Sequence, residues 1–212
     1  MSESPAAYYP RNYQSVNSAQ QTSDGVRPIL LVHERYIVTE DREGLIVVDS
    51  LRARELITHV RLRAAHADGC IRSRPVLVPL VMPVSRDEEE LLDQHQSLLA
   101  GLGLLIGHSA PAVVMVRELP LALAQADAMA LVKDVIVTLQ GREKSETLVL
   151  DLMALFSRHA NDCLPATLTL NEMQTLLSEL NGIRKQIAAE SFNSAYRRLD
   201  RRDLRNLFDA QP

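Results

Sequence analysis

Leu31-Val32-His33-Glu34-Arg35-Tyr36-Ile37-Val38 and, past the polar turn Glu40-Asp41-Arg42-Glu43, Gly44-Leu45-Ile46-Val47-Val48-Asp49 are the stretches from which the fold can be read. Ile29–Val32, Tyr36–Thr39 and Leu45–Val48 are short, apolar and rich in β-branched residues, with turn residues between them. This pattern predicts three strands of an antiparallel meander. After Asp49 the period changes. Ala53, Leu56, Ile57, Val60 and Ala64 share one helical face, with Arg52, Arg54, Arg61 and Arg63 mostly elsewhere. The spacing predicts a helix from Ser50 to about Ala65, ended by Asp68-Gly69.

Further along, Arg74–Val84 is strand-like but carries Pro75, Pro79 and Pro83, which fits an edge strand or a crossing between lobes. Ser85-x-x-Glu88 is a capping box that opens a helix whose apolar face is Leu91, Leu92, Leu98, Leu99 and Leu102, closed by Gly101 and Gly103. Leu104–Gly107 and Ala112–Arg117 predict a hairpin ended by Glu118-Leu119-Pro120, followed by a helix over about Gln125–Leu139. Beyond the polar break Gly141–Lys144 the pattern is helical. Leu148, Val149, Leu152, Leu155 and Phe156 share a face, and Thr169-x-x-Glu172 caps a helix carrying Met173, Leu176, Leu177, Leu180 and Ile183. Asp200, with Asp203, caps a short last helix carrying Leu204, Leu207 and Phe208. The succession implies an α+β fold in which residues 26–70 and 143–212 form an outer lobe of antiparallel strands and helices, and residues 71–142 an inserted smaller α/β lobe.

Residues 1–25 are rich in Ser, Gln, Asn, Ala and Tyr and lack Leu, Ile and Phe, so they read as a disordered linker or tail. They show no basic start with an apolar stretch, hence no secretory signal. No apolar run is long enough to suggest a membrane span, and a cytoplasmic protein is expected. Cys70 and Cys163 lie in no CxxC or Cys/His cluster and are read as reduced thiols. A net charge of -4 gives no global attraction to nucleic acid, so any DNA contact needs a local basic patch. The chain has no Trp, which argues against a base-stacking surface.

The two opening stretches, and the run Arg74-Pro75-Val76-Leu77-Val78-Pro79-Leu80 after them, resemble the C-terminal dimerisation domain of the MutL family of DNA mismatch-repair proteins. So do Val116-Arg117-Glu118-Leu119-Pro120-Leu121, Ser157-Arg158-His159-Ala160 before Leu168–Met173, and Arg198-Leu199 through Leu204–Phe208. The resemblance covers about residues 26–208. It implies an outer dimerisation lobe with an inserted regulatory lobe, and a polar leader equivalent to the family's interdomain linker. The family's ATPase domain and its Gly-rich phosphate loop have no counterpart in this sequence.

Many members of that family are metal-dependent nicking endonucleases, which need carboxylates, His and Cys converging on divalent ions. The family's motif runs Asp-Gln-His-Ala, two residues, Glu, four residues, Glu. Here it reads Asp49-Ser50-Leu51-Arg52, with Glu55 matching the first Glu, Leu51 at the His position and Val60 at the second Glu. The second ligand run falls at Ala189–Ser194 and keeps neither its Cys nor its His. In the third motif Arg158 stands at the Cys and His159 remains. The resemblance therefore implies a vestigial site of Asp49, Glu55 and His159, with no catalytic residue, bound metal or other cofactor. Asp49 then reads as a strand-end turn residue and Glu55 as a helix-surface charge.

Three further features carry partner expectations. In the family, a Gln before the first proline of the punctuated run helps bind the replicative sliding clamp. Arg74 stands there, so the clamp-like segment Arg74, Pro75, Val76, Leu77, Val78 and Pro79 lacks the usual anchor and clamp binding is not expected, although an extended apolar stretch suits β-type docking. Arg198, Arg201, Arg202 and Arg205 recur at helical spacing as a basic stripe able to touch DNA phosphates, or else as a solvated face. His95 and His159 fall on apolar helix faces and read as core or core-edge histidines, while His33, His59, His66 and His108 show no metal-like spacing.

The expected function is homodimerisation within a mismatch-repair assembly, coupling two ATPase heads to other repair proteins, with no nuclease activity and no membrane partner. Leu45–Val48 and the Leu176/Leu177/Leu180 face are each either interface or internal core. A nicking endonuclease with a rearranged site and a stand-alone adaptor of the same family are the alternatives.

Overall fold

The computed structural model describes residues 27–69, 71–141, 147–162, 164–165 and 167–209. The expected leader and both cysteines lie outside the described residues. In chain order the elements are β1 (Arg27–Val32), β2 (Tyr36–Glu40), β3 (Gly44–Asp49), α1 (Ser50–Ala67), β4 (Ser73–Pro83), α2 (Arg86–Gln94), α3 (Gln96–Gly101), β5 (Leu105–Ala110), β6 (Val113–Pro120), α4 (Ala128–Gly141), α5 (Leu148–Asp162), α6 (Leu170–Ile183), α7 (Ala189–Ala195), β7 (Tyr196–Asp200) and α8 (Arg201–Asp209). The fold is α+β.

The meander forms as its alternation predicts, with β1, β2 and β3 pairing antiparallel. Its first turn has no sequence signature. His33 and Glu34 both adopt positive φ, 50° and 55°, and Arg35 donates its amide to the Val32 carbonyl at 3.1 Å. Two left-handed central residues are the requirement of the tight hairpin turn whose twist matches paired strands, normally met by Asn-Gly. The second turn is chemically explicit: Asp41 Oδ1 accepts the amides of Glu43 and Gly44.

The sheet has a fourth strand that the periodicity does not predict. β7 runs antiparallel to β3, giving the order β1-β2-β3-β7. The spacing of Arg198, Arg201, Arg202 and Arg205 predicts one helix, but the backbone stays extended through Arg198, opposite Ile46, and becomes helical only at Arg201. The switch sits at Asp200. Its Oδ1 accepts the Asp203 amide, and Asp203 Oδ2 accepts the Asp200 amide, a reciprocal cap that starts α8.

One face of this sheet supplies Ile37, Ile46 and Val48 to an apolar core shared with Ala53, Ile57 and Val60 of α1, Met173, Leu176, Leu177, Leu180 and Ile183 of α6, and Phe192 and Ala195 of α7. Leu176, Leu177 and Leu180 are thereby internal. A second core lies against the three-stranded antiparallel sheet of order β4-β6-β5. Leu91, Leu92, Leu99, Leu131, Val135 and Leu139 of α2, α3 and α4 fill it, with Leu62 of α1. Leu148, Leu152, Met153, Leu155 and Phe156 of α5 join this second core, although the expected division at residue 142 put everything beyond it with the outer sheet. Helix α1 thus contributes to both cores and packs along α5. The helix expected from Ser85 onward is two: His95 ends α2 and precedes α3, with φ -103° and ψ 9°.

Candidate functional site

Residues matching the motif of a metal centre lie at the start of α1 and along its seam with α5. Asp49 ends β3 and caps α1, its Oδ1 accepting the amides of Leu51 and Arg52 at 3.1 and 3.2 Å. Its second oxygen is held by Arg35, 2.7 Å from Nη2 and 3.1 Å from Nε. Both oxygens are therefore committed to local structure.

Glu55, expected as a surface charge, is half-buried one helical turn further on. Desolvation pushes its carboxyl above the ordinary carboxylate range, and the positive charges of Arg158 and Arg52 offset part of that shift. His59, another turn along, is pushed below the usual imidazole value by desolvation, with Arg63 adding to the effect and the Met153 backbone opposing it, and its Nδ1 is buried without a hydrogen-bond partner among the described residues. From α5, Asn161 donates to the Leu51 carbonyl at 3.4 Å. His159 is buried and points elsewhere, its Nε2 lying 2.9 Å from Asp134 Oδ2 on α4. Asp49, Glu55 and His159 are thus not brought together. Among the described residues no group of three or more His, Cys, Asp or Glu is arranged to hold a metal ion. Hard-cation ligation needs converging neutral or anionic donors. Leu51 offers none, and the cation beside Glu55 is a guanidinium. Asp49, Glu55 and His159 as placed do not converge on one metal ion.

The clamp-like segment forms the first half of β4. The register jumps between Pro75, opposite Glu118, and Leu80, opposite Val116, so Val76–Pro79 bulge from the ladder. Val76 packs against the second core, Leu77 is fully exposed and Val78 is 71% exposed. Arg74 donates to the Ala124 carbonyl. Docking by strand addition has little to use. Val84 donates its amide to Ala112, so the even-numbered residues in the second half of β4 direct their amides to β6 and positions 81 and 83 face the open edge. Pro83 has no amide to offer there, and Pro79, in the bulge, has none either. Contact at this segment falls to the side chains of Leu77 and Val78.

The expected basic stripe is divided. Arg198 lies on β7 and pairs with Asp41 and Glu43 of the β2–β3 turn. Arg201, Arg202 and Arg205 are exposed on α8. A phosphate contact by this stripe would come from these three.

Sequence reading passed over one tightly built cluster. His108 on β5 places Nδ1 2.9 Å from Glu89 Oε1 and Nε2 2.7 Å from Asp93 Oδ1, both on α2. These contacts, the one to Asp93 first, hold the imidazole above its ordinary value. Glu89 also accepts the amide of Ala112, the positive-φ residue of the β5–β6 turn. The available signal was the carboxylate pair at i and i+4 on one helix.

The larger surface feature is the outer sheet's second face. Cross-strand partners share a face, so Leu30, Val38, Val47 and the exposed Arg197 form one row, and Glu40, Leu45 and Leu199 another, both pointing away from the core formed by Ile37, Ile46 and Val48. Leu45 and Val47 thus belong to the open face, Ile46 and Val48 to the core. The open face is predominantly apolar, only partly buried, and belongs to neither core.

A family model described as the MutL C terminal dimerisation domain matches residues 29–164, from β1 past the end of α5. The chain belongs to the MutL C-terminal dimerisation domain family. Proteins of the same kind are similar over most of it. The DNA mismatch repair protein MutL of Cellvibrio japonicus is 34% identical over 148 residues, 68% of this chain and 24% of that protein. That of Xanthomonas campestris pv. campestris is 34% identical over 152 residues, 70% of this chain and 24% of that protein, and that of Azotobacter vinelandii 30% over 176 residues, 82% and 28%. The chain spans about a quarter of the length of these relatives. The family's description makes self-association the property to look for on the surface. No helix among the described residues is long and apolar enough to cross a membrane.

Proposed function

We propose that this chain is the self-association domain of a MutL-type DNA mismatch-repair protein, joining two copies so that ATPase heads and other repair factors act together, and that it does not itself cut DNA. The observation that carries this reading is the open face of the outer sheet. Val38, Val47, Leu45 and Leu199 sit on a four-stranded antiparallel sheet, opposite a filled core, and apolar burial is the main driving force for a stable interface. In this reading the sheet-bearing outer unit is the dimerising lobe. The unit around β4, β5 and β6 is the regulatory lobe, with Leu77 and Val78 as its most exposed apolar side chains.

The proposal that nuclease activity is lacking rests on what has become of the motif residues. Asp49 is committed as a cap, Leu51 replaces a ligand, Glu55 is neighboured by Arg158, and His159 faces Asp134.

Light scattering of the full chain over a concentration series tests the first claim. A mass near twice 23.6 kDa that persists on dilution is expected, and Val38→Glu with Val47→Glu should bring it to the single-chain value. A wild-type monomer at every concentration would remove the reading. Incubation of supercoiled DNA with the chain and manganese tests the second. Nicking that Glu55→Gln abolishes would restore an active site to this domain.

A further inference from the structure

The open face of the outer sheet carries two charges whose places are fixed by the register. Val38 of β2, Val47 of β3 and Arg197 of β7 make one row, and Glu40, Leu45 and Leu199 of the same three strands make the next. These six positions form a grid three strands wide and two rows deep. Glu40 and Arg197 occupy opposite corners, Val38 and Leu199 the other two, and Leu45 and Val47 the middle. Both charged residues are exposed, and neither has an ion-pair partner among the described residues. The neighbouring Arg198, in the row of the buried Ile46, is by contrast tied to Asp41 and Glu43.

Opposite charges at opposite corners make the grid complementary to itself, which is what a two-fold interface requires. An axis along β3 would set Arg197 over Val38 and Glu40 over Leu199. An axis across the strands would set Glu40 over Val38. Either leaves charge buried against apolar surface. An axis perpendicular to the Glu40–Arg197 diagonal instead sets each glutamate over the arginine of the other copy and gathers Val38, Leu45, Val47 and Leu199 around itself. With strands about 4.8 Å apart and residues about 3.4 Å apart along them, the two corners are about 12 Å from each other and the facing strands cross at about 70°, nearer the orthogonal than the aligned class of sheet packing. We propose that two copies of this chain pair sheet face to sheet face about this diagonal axis, with Glu40 of each copy against Arg197 of the other. This rests on the dimerisation reading above and gives that interface its axis and its register.

The test uses the full chain. Glu40→Arg or Arg197→Glu alone sets like charges against each other twice in every dimer, and each should raise the dissociation constant by at least about tenfold in sedimentation equilibrium. Mixed in equal amounts, the two variants should bind each other at close to wild-type affinity, because both contacts across the axis then join opposite charges. A chain carrying both substitutions should pair with itself for the same reason. The urea midpoints of the separated chains should stay near wild type, since both residues are exposed. Recovery on mixing also separates this contact from one within the chain, such as Glu40 with Arg27, its partner in the β1–β2 register. If the single variants leave the dissociation constant unchanged, or if mixing them restores nothing, while Val38→Glu with Val47→Glu abolishes the dimer, the pairing is wrong and the dimerisation reading survives. A monomeric wild type would overturn both.

Discussion

His108 Nε2 lies 2.7 Å from Asp93 Oδ1, on the opposite side of the ring from the Glu89 oxygen that faces Nδ1. Only the doubly protonated ring donates to both carboxylates, and the folded-state affinity for that proton is raised. The stabilisation is therefore fully present below the ordinary imidazole value of about 6.5 and is lost as pH rises through the elevated folded value. His108→Gln should lower the urea midpoint in mildly acidic buffer, and the difference from wild type should shrink as the buffer becomes alkaline. A difference that grows with pH would mean the ring does not tie β5 to α2 as a cation.

Asp49 holds α1 to the end of β3. Asp49→Ala removes the cap for the Leu51 and Arg52 amides and the partner of Arg35, and should cost about 1–2 kcal/mol in denaturant unfolding. Asp49→Asn keeps a capping oxygen and should recover much of that loss. Equal loss in both variants would point to the charge rather than the cap.

Glu55 behaves in the opposite sense to a stabilising carboxylate. Its folded value is raised, chiefly by desolvation, so ionisation is disfavoured in the fold, and the penalty grows as pH rises through that value. Because the group is only half-buried and partly compensated by Arg158 and Arg52, Glu55→Gln should be stabilising by no more than about 0.5 kcal/mol at neutral pH, and neutral in acid. Marked destabilisation at neutral pH would show that the attraction of Arg158 and Arg52 outweighs desolvation.

Gly44 opens β3 opposite Asp200 of β7. A Cβ at this position would overlap the Leu199 carbonyl oxygen of β7, a backbone atom that cannot move alone. Gly44→Ala should cost about 1–3 kcal/mol, the range for forced overlap in a packed site. The loss should also speed amide exchange along β7 relative to β2. Uniform exchange across the sheet would show that the strain is spread instead of local.

Elements specified by their own residues were legible in the sequence. The meander, the capping boxes at Ser85 and Thr169, and the cap at Asp200 all form where the local pattern puts them. What escaped depends on distant partners. Tyr196–Asp200 is a strand because β3 offers it an edge, which no local period reports. The His33–Glu34 turn adopts positive φ without Gly or Asn because the paired strands on either side demand it. The apolar face of α5 was visible, but not which core it enters. At the candidate site, the residue types Leu51 and Arg158 at the motif positions could be read directly. That Glu55 is half-buried beside Arg158, and that His159 turns to Asp134, required the packing of α1, α4 and α5.

The prolines of β4 bear on how the protein survives its own concentration. A chain that must find its twin exposes apolar surface by necessity, and a bare sheet edge next to such surface invites endless side-by-side polymerisation. With Pro83 facing the open edge and Val76–Pro79 bulged from the ladder, the β4 edge cannot extend a continuous ladder into another molecule, while a sheet face can still close into a finite pair. Growth is blocked where it would be unlimited and left open where symmetry ends it. Replacing both prolines with valine should leave the fold intact and turn a clear solution of paired chains into one that scatters and precipitates.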